Sequence, residues 1–251
     1  MLDEYFIDRL EKIEETHYLY DIPKKAFFDL DNTILVGDIG ELIILGILNE
    51  KLKLEMSWQE YLNLLQTEGE KVAYRRIIEA KNGNSVYEIK QLVSNLLENN
   101  DPYDFNGFIK EKPKQNKFLK ILLKELQIRN FDIYLVTAGS HFVAEAIVDL
   151  WFPEIPQKNI FGVKNKLIDN ILMSELEKPI PIREGKGDVL DLVLQGKEAL
   201  ITVGDSPNDL QMFNKTHQEG LKLIVDHKTN KTFDILKNLK SLDNIFFIDW
   251  N

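Results

Sequence analysis

Three segments of the 251-residue chain end an apolar run in a cluster of carboxyl, hydroxyl and amide side chains. Ala26-Phe27-Phe28 runs into Asp29-Leu30-Asp31-Asn32-Thr33, and Ile133-Tyr134-Leu135-Val136 runs into Thr137-Ala138-Gly139-Ser140. Ala199-Leu200-Ile201-Thr202-Val203 runs into Gly204-Asp205-Ser206-Pro207-Asn208-Asp209, with Lys186 upstream of it. Taken singly, these are ordinary acidic turns, helix caps and a surface lysine. Taken together they hold what in-line phosphoryl transfer needs: a nucleophile, hard ligands for a cation, and donors for the equatorial oxygens. Asp29 can supply a nucleophilic carboxylate and form an acyl-phosphate. Asp31, two residues on, can protonate a leaving alcohol and then deprotonate water, helped by neighbouring carboxylates that raise its pKa. Asp29 and Asp205 suit Mg²⁺, with Asn208 and Asp209 placed to orient the ligand shell. Thr137, the backbone after it at Ala138 and Gly139, Thr33 on the first loop, and Lys186 are the candidates for binding phosphoryl oxygens. An EF-hand reading fails because Ile34 stands where that loop needs glycine.

The elements that must carry these residues follow from apolar periodicity. After about residue 113, segments with helical and strand patterns alternate, which predicts a mainly parallel sheet with helices on both faces. Functional groups of such a sheet gather where its strands end at their carboxyl edge. Between Gly37 and Lys112 the pattern is helical, with EKPKQN (Glu111 to Asn116) as a solvated linker. The fold class expected is therefore α/β: a Rossmann-like core of residues 1–36 and 113–251, with an all-helical cap of residues 37–112 inserted in it.

Composition narrows the partners. With 31 Lys+Arg against 41 Asp+Glu, the formal net charge is −10, which disfavours a generic nucleic-acid binder. The chain has no cysteine, so disulfides, thiolate zinc sites and cysteine nucleophiles are excluded. No window approaches the ~20 apolar residues of a membrane span, and MLDEYFIDRLEKIEE lacks the segments of a signal peptide. A cytoplasmic location and no membrane partner are expected. His17, His141, His217 and His227 are scattered without metal-ligand spacing, and GxSxG, HExxH and GxxxxGK[ST] are absent.

The segments FFDLDNTIL, LVTAGS, GKGDVL and VGDSPND resemble the four ordered motifs of the haloacid dehalogenase superfamily, over Ala26 to Asp209. The resemblance implies Asp29 as nucleophile, Asp31 as acid/base, Thr137 and Lys186 as phosphate binders, and Asp205 as a magnesium ligand. It adds the Asp31 backbone carbonyl as a further ligand. An aspartate at Asp31 favours phosphatase or phosphomutase chemistry over dehalogenation, and the D-K-T-G-T signature of P-type ATPases is absent.

The insertion resembles the small cap of the phosphoserine-phosphatase-like subgroup. There an acidic residue nine positions after the nucleophile contacts the substrate amine, and here that position is Asp38 rather than the more usual Glu. A cap arginine meets the substrate carboxylate in that subgroup, which implies Arg75 or Arg76. The second motif departs, reading Thr-Ala-Gly-Ser where Ser-Gly-Gly is typical, and Asp38-Ile39-Gly40-Glu41 looks like phosphocholine phosphatase variants. Trp58, Tyr61, Tyr74 and Tyr87 could surround a quaternary ammonium, although aromatics at helical spacing more often serve the core. His141 sits close enough to the second motif to line a pocket, a helix start being the plainer reading.

These features imply a Mg²⁺-dependent phosphomonoester hydrolase acting on a small phosphorylated metabolite with an amine. Phosphoserine leads, with phosphocholine or phosphoethanolamine behind. The alternatives are a phosphomutase and a non-catalytic binding module of the same fold.

Overall fold

The computed structural model describes residues 2–98 and 101–249. The turn expected at Asn99-Asn100-Asp101-Pro102 lies partly outside them, as does Trp250 of the expected C-terminal strand. The chain opens with α1 (Glu4–Tyr20), whose Asp3 side chain accepts the Phe6 amide at 2.8 Å as an N-cap, and continues into β1 (Lys25–Phe28). Short β2 (Leu35–Val36) precedes four helices: α2 (Gly40–Asn49), α3 (Trp58–Thr67), α4 (Glu70–Glu79) and α5 (Val86–Leu97). Helices α3 and α5 begin on reciprocal capping boxes, Ser57 with Glu60 and Ser85 with Glu88.

The chain returns through β3 (Tyr103–Phe105), β4 (Phe108–Lys110) and β5 (Lys114–Gln115), the last pairing antiparallel with β2. Alternation follows: α6 (Lys117–Ile128), β6 (Asp132–Ser140), α7 (His141–Trp151) and β7 (Ile160–Val163). A hairpin of β8 (Asn165–Ile168) and β9 (Ile171–Leu176) leads to α8 (Glu184–Leu194), β10 (Ala199–Gly204) and α9 (Leu210–Phe213). The chain ends with β11 (Thr216–Asp226), α10 (Asn230–Asn238) and β12 (Ile245–Asp249).

Six of these strands form one parallel sheet in the order β12-β11-β10-β1-β6-β7. After β1 the chain adds strands first on one side and then on the other, so β1 is the point where strand order reverses. Ligands of open parallel sheets bind at such a point. Alternate residues of β1 serve opposite faces. Ala26 and Phe28 join the large core made with α1, α6 and α7, whereas Phe27 joins Val189, Leu190 and Met212 of α8 and α9. Both faces are therefore covered by helices, as the expected fold class requires.

The 37–112 block is not all-helical. Its β3–β4 hairpin turns on Asn106 (φ 50°) and Gly107 (φ 82°), a left-handed pair that suits a two-residue hairpin. The EKPKQN run carries β5 and is not wholly a solvated linker. Packing divides the block. Leu42, Ile43 and Ile47 of α2, with Ile89, Leu92, Val93 and Leu96 of α5, belong to the large core of the sheet domain. Ile44 joins a smaller cluster with Met56, Tyr61, Ala73, Ile77 and Ile78, closed by Val163 and Ile182. No helix among the described residues is long and apolar enough to cross a membrane.

Candidate active site

The register of β1 places Phe28 beside both Val203 of β10 and Leu135 of β6, so three strand ends open at one level. Asp29 and Asp205 lie just beyond β1 and β10, and Thr137 lies among the last residues of β6. The Asp29 amide is fixed on the Val203 carbonyl at 2.9 Å. The loop then turns at Asn32, whose left-handed φ of 58° a short polar side chain tolerates, and the Asn32 amide donates to the Gly37 carbonyl at 3.0 Å. The Ile39 amide donates to Asp31 Oδ1 at 2.9 Å. The other oxygen, Oδ2, is left facing Gly139, where an added Cβ would stand 3.4 Å away.

At the end of β10, Asp209 folds back over the strand. Its Oδ2 accepts the Asp205 and Ser206 amides at 3.0 and 3.1 Å. An added Cβ on Gly204 would lie 2.5 Å from the Asp209 carboxyl, so only glycine permits this approach. Asp209 Oδ1 accepts from Lys186 Nζ at 2.6 Å, and Asp29 Oδ1 accepts from the same ammonium at 2.6 Å. Lys186, 1% exposed, thus ties Asp29 to Asp209.

Asp29, Asp205 and Asp209 bring carboxylate oxygens within 4.8 Å of one another. Both Asp209 oxygens are already engaged, which suits it to positioning its neighbours. Asp205 Oδ2 is buried with no hydrogen bond, although His227 Nε2 and Lys231 Nζ stand at 3.3 and 3.6 Å. A buried carboxylate oxygen that accepts no hydrogen bond, set beside Asp29, fits a hard divalent cation. Burial, reinforced by Asp209 and Asp205 and opposed by Lys186, pushes the Asp29 carboxyl up to about 8. Burial and then the nearby Asp38 hold Asp31 well above the usual carboxylate range, against the Ile39 amide. Asp38 is itself raised by burial, the Gly40 amide opposing and Glu41 reinforcing. Lys186 is pushed up because Asp209 and Asp29 outweigh the cost of its burial.

These groups open into a cavity of about 290 Å³. Asp29, Asp31, Asp38, Thr137, Ala138, Gly139, Lys186, Asp205 and Asn208 all line it. Four candidates fall outside, the first being Asp209, fully buried beneath Lys186 and the β10 loop. Thr33 is fully buried behind the loop, with its hydroxyl unpartnered. The Arg75 and Arg76 side chains are 59% and 46% exposed and pair with Glu79, because their face of α4 points outward. Of the aromatics, Tyr61 and Tyr74 line the cavity, whereas Trp58 packs on Tyr61 and Phe108, and Tyr87 is exposed. His141 does not line it; it sits under Glu145 at 3.1 Å in the interface of α5 and α7. Sequence reasoning passed over Glu70, Ile77, Ile78 and Lys81, which reach the cavity from α4 and the turn after it. Their only sequence signal is helical spacing on the face opposite Arg75 and Arg76.

Residues 26–214 match the profile of the haloacid dehalogenase-like hydrolases, and the chain belongs to that family. No curated protein matches it. In fold it is similar to a conserved functionally unknown protein from Anaerococcus prevotii, at 14% identity and a TM-score of 0.67 over 89% of this chain and 86% of that one. A protein of unknown function from Bordetella pertussis is similar at 13% identity and a TM-score of 0.65, covering 92% and 100%. A phosphoserine phosphatase in a phospho-aspartyl intermediate analogue form is similar at 16% identity and a TM-score of 0.54, covering 90% and 93%.

Proposed function

We propose that the protein is a Mg²⁺-dependent phosphomonoesterase that works through an aspartyl-phosphate on Asp29. The observation that carries this is the Lys186 bridge between Asp29 and Asp209, with Asp31 beside it at the mouth of one cavity. Mg²⁺ would be held by Asp29, Asp205 and the Asp31 carbonyl, and would supply positive charge opposite the phosphoryl oxygens. Asp29 attacks phosphorus as the ester P–O bond breaks, and the Asp31 carboxyl gives its proton to the departing alkoxide. The Asp31 carboxylate then takes a proton from a water that attacks phosphorus, the P–O bond to Asp29 breaks, and phosphate leaves. Thr137 and Lys186 line the space where the phosphoryl oxygens would lie, the Gly139 amide donates to Thr137 Oγ1 at 3.0 Å, and Asn208 lines the same cavity. The elevated pKa of Asp31 supports its starting protonated.

The substrate is a small phosphorylated metabolite bearing an amine. Asp38, Glu70, Tyr61 and Tyr74 share one stretch of wall, and both phenols are pushed up by burial first and then by Asp38. Such a negative, aromatic wall suits an ammonium group. The work of the protein would be cytoplasmic. The test is phosphate release from phosphorylated amines, amino acids, sugars and nucleotides, with and without Mg²⁺. Metal-dependent release that favours amines, with that preference lost in Asp38→Ala, is expected. Little free phosphate alongside isomerised product would favour a mutase, and an unchanged preference in Asp38→Ala would remove the amine assignment.

A further inference from the structure

Of the four histidines, His227 lies at the same sheet edge as the candidate carboxylates. It directly follows β11, which pairs with β10 with Ile224 opposite Gly204 and runs on to Asp226. The turn that carries it is pinned. Asp226 Oδ1 accepts the Lys228 amide and the Thr232 hydroxyl, both at 2.8 Å, and Lys228 takes a left-handed φ of 55°. The imidazole is largely buried, with Nε2 3.3 Å from Asp205 Oδ2 and 3.0 Å from the Asn32 carbonyl oxygen. Since β10 lies between β11 and β1 in the sheet, this side chain spans a whole strand to reach the loop after β1.

A carbonyl oxygen can only accept, so Nε2 carries a hydrogen and donates it to Asn32. Asn32 is the left-handed corner of the loop that carries Asp29 and Asp31, and it is held at both ends. Its amide donates to the Gly37 carbonyl at 3.0 Å, and its carbonyl accepts from His227. With the Nε2 hydrogen committed to Asn32, Asp205 Oδ2 accepts no hydrogen bond in spite of the short approach. The ring thus braces one carboxylate-bearing loop against another and leaves the Asp205 oxygen open to a cation. Lys231, at the start of α10, is a different kind of neighbour: a half-exposed ammonium 3.6 Å from the same oxygen, whose charge opposes a cation there.

We propose that His227 is a positioning residue for the divalent cation, fastening the loop after β1 across β10 and so setting the spacing between Asp205 and the Asp29–Asp31 loop. This rests on the Mg²⁺-dependent reading of the site and adds to it a residue from outside the four motif segments. Groups that orient metal ligands without touching the metal contribute roughly 10- to 100-fold to affinity.

Titration calorimetry with Mg²⁺ and with Mn²⁺, in the absence of substrate, tests this on the whole chain. His227→Phe keeps a ring of similar size but removes the N–H, and should weaken binding of both ions about tenfold or more. His227→Gln, whose amide can donate from a similar reach, should recover most of the loss. Lys231→Met should tighten binding, because it removes an opposing charge. Thermal midpoints show whether each variant folds, and His227→Ala repeats the comparison should the Phe variant not fold. Metal affinity unchanged by loss of the His227 N–H, even with a lowered midpoint, overturns the proposal by reducing the contact to a structural one. Tighter binding overturns it too, since His227 would then act as a repelling charge like Lys231.

Kinetics keeps the two readings apart. In Mg²⁺-supported phosphate release, His227→Phe should raise the half-saturating Mg²⁺ concentration by the factor seen in calorimetry, with kcat at saturating metal changed less. His227-dependent metal binding in a protein that hydrolyses no phosphomonoester would sink the phosphomonoesterase reading and leave the positioning role standing. Mg²⁺-dependent hydrolysis with a metal affinity indifferent to His227 would do the reverse.

Discussion

At the sheet edge, the candidate carboxylates sit on the short loops after β1 and β10, and Thr137 among the last residues of β6. Asp29, Asp31 and Asp209 are held by hydrogen bonds to their own loops or to Lys186. Across the cavity, the facing wall comes from α2, α3, α4 and the turn after α4, placed by apolar packing of Ile44, Tyr61, Ile77 and Ile78. The charges differ as well. The sheet edge concentrates carboxylates around one shared ammonium, whereas the cap wall carries an acidic, aromatic stretch and Lys81, which makes no ion pair among the described residues. Chemistry that breaks a P–O bond requires fixed spacing along the chain, and recognition of the remaining substrate does not. A fold can therefore keep the first wall and vary the second.

The largest effect that would sharpen this contrast is at Asp31. Asp31→Asn keeps the shape but removes the transferable proton, and turnover should fall about 10²- to 10⁴-fold while substrate binding is kept. Steady-state kinetics with a poor and a good leaving group checks it, since a good leaving group needs the proton less. Equal losses for both would argue that Asp31 acts only through the loop it holds.

Next in size is Lys186. Lys186→Met leaves Asp29 and Asp209 buried without their shared counter-charge, and should cost about 3–5 kcal/mol of metal-free stability in denaturant unfolding. A loss of under ~1 kcal/mol would show that the bridge contributes little to the fold.

Opposite pH dependences should separate the two walls. The folded-state pKa of Asp29, about 8, lies above its ordinary value of 3.8, so between these values the folded state binds the extra proton. Metal-free stability therefore falls as pH rises from about 4 to 8 through this group, and Asp29→Asn flattens the fall. Lys81 has a folded pKa of about 8, below its ordinary 10.5, so the unfolded state binds the extra proton in that window. Its contribution rises with pH from about 8 to 10.5 and vanishes in Lys81→Met. Thermal midpoints across pH for both variants test this, and a slope unaffected by either substitution would contradict the assigned causes.

The smallest effect is expected outside the cavity. Arg75→Ala and Arg76→Ala remove exposed ion pairs with Glu79, so the preference among phosphorylated amines, amino acids, sugars and nucleotides should stay at its wild-type value in both. A shift in preference there would show that the outer face of α4 contacts substrate.

How much was legible follows from the same contrast. The strands ending at Asp29, Thr137 and Asp205 could be read because apolar runs and loop chemistry are local, and the parallel sheet followed from their alternation with helices. Helical periodicity located α4, yet it could not say which face the rest of the molecule would cover. Arg75 and Arg76 look suited to anions by type alone, and only the packing of Ala73, Ile77 and Ile78 turns them outward and Lys81 inward. Thr33 belongs to the first motif but is fully buried and does not line the cavity, which its place in the motif alone could not show. The β3–β4 hairpin was signalled by Asn106-Gly107, though its strands are only three residues each and easily read as a linker.

The central claim is that Asp29 carries the phosphoryl group in transit. Rapid quenching in acid during turnover with Mg²⁺, followed by mass spectrometry of the peptide spanning Asp29, measures this directly. One phosphoryl group on Asp29, formed and lost on the timescale of turnover and absent from Asp29→Asn, is the result expected. Full turnover by Asp29→Asn, or a phosphoryl group found on another residue, would contradict it.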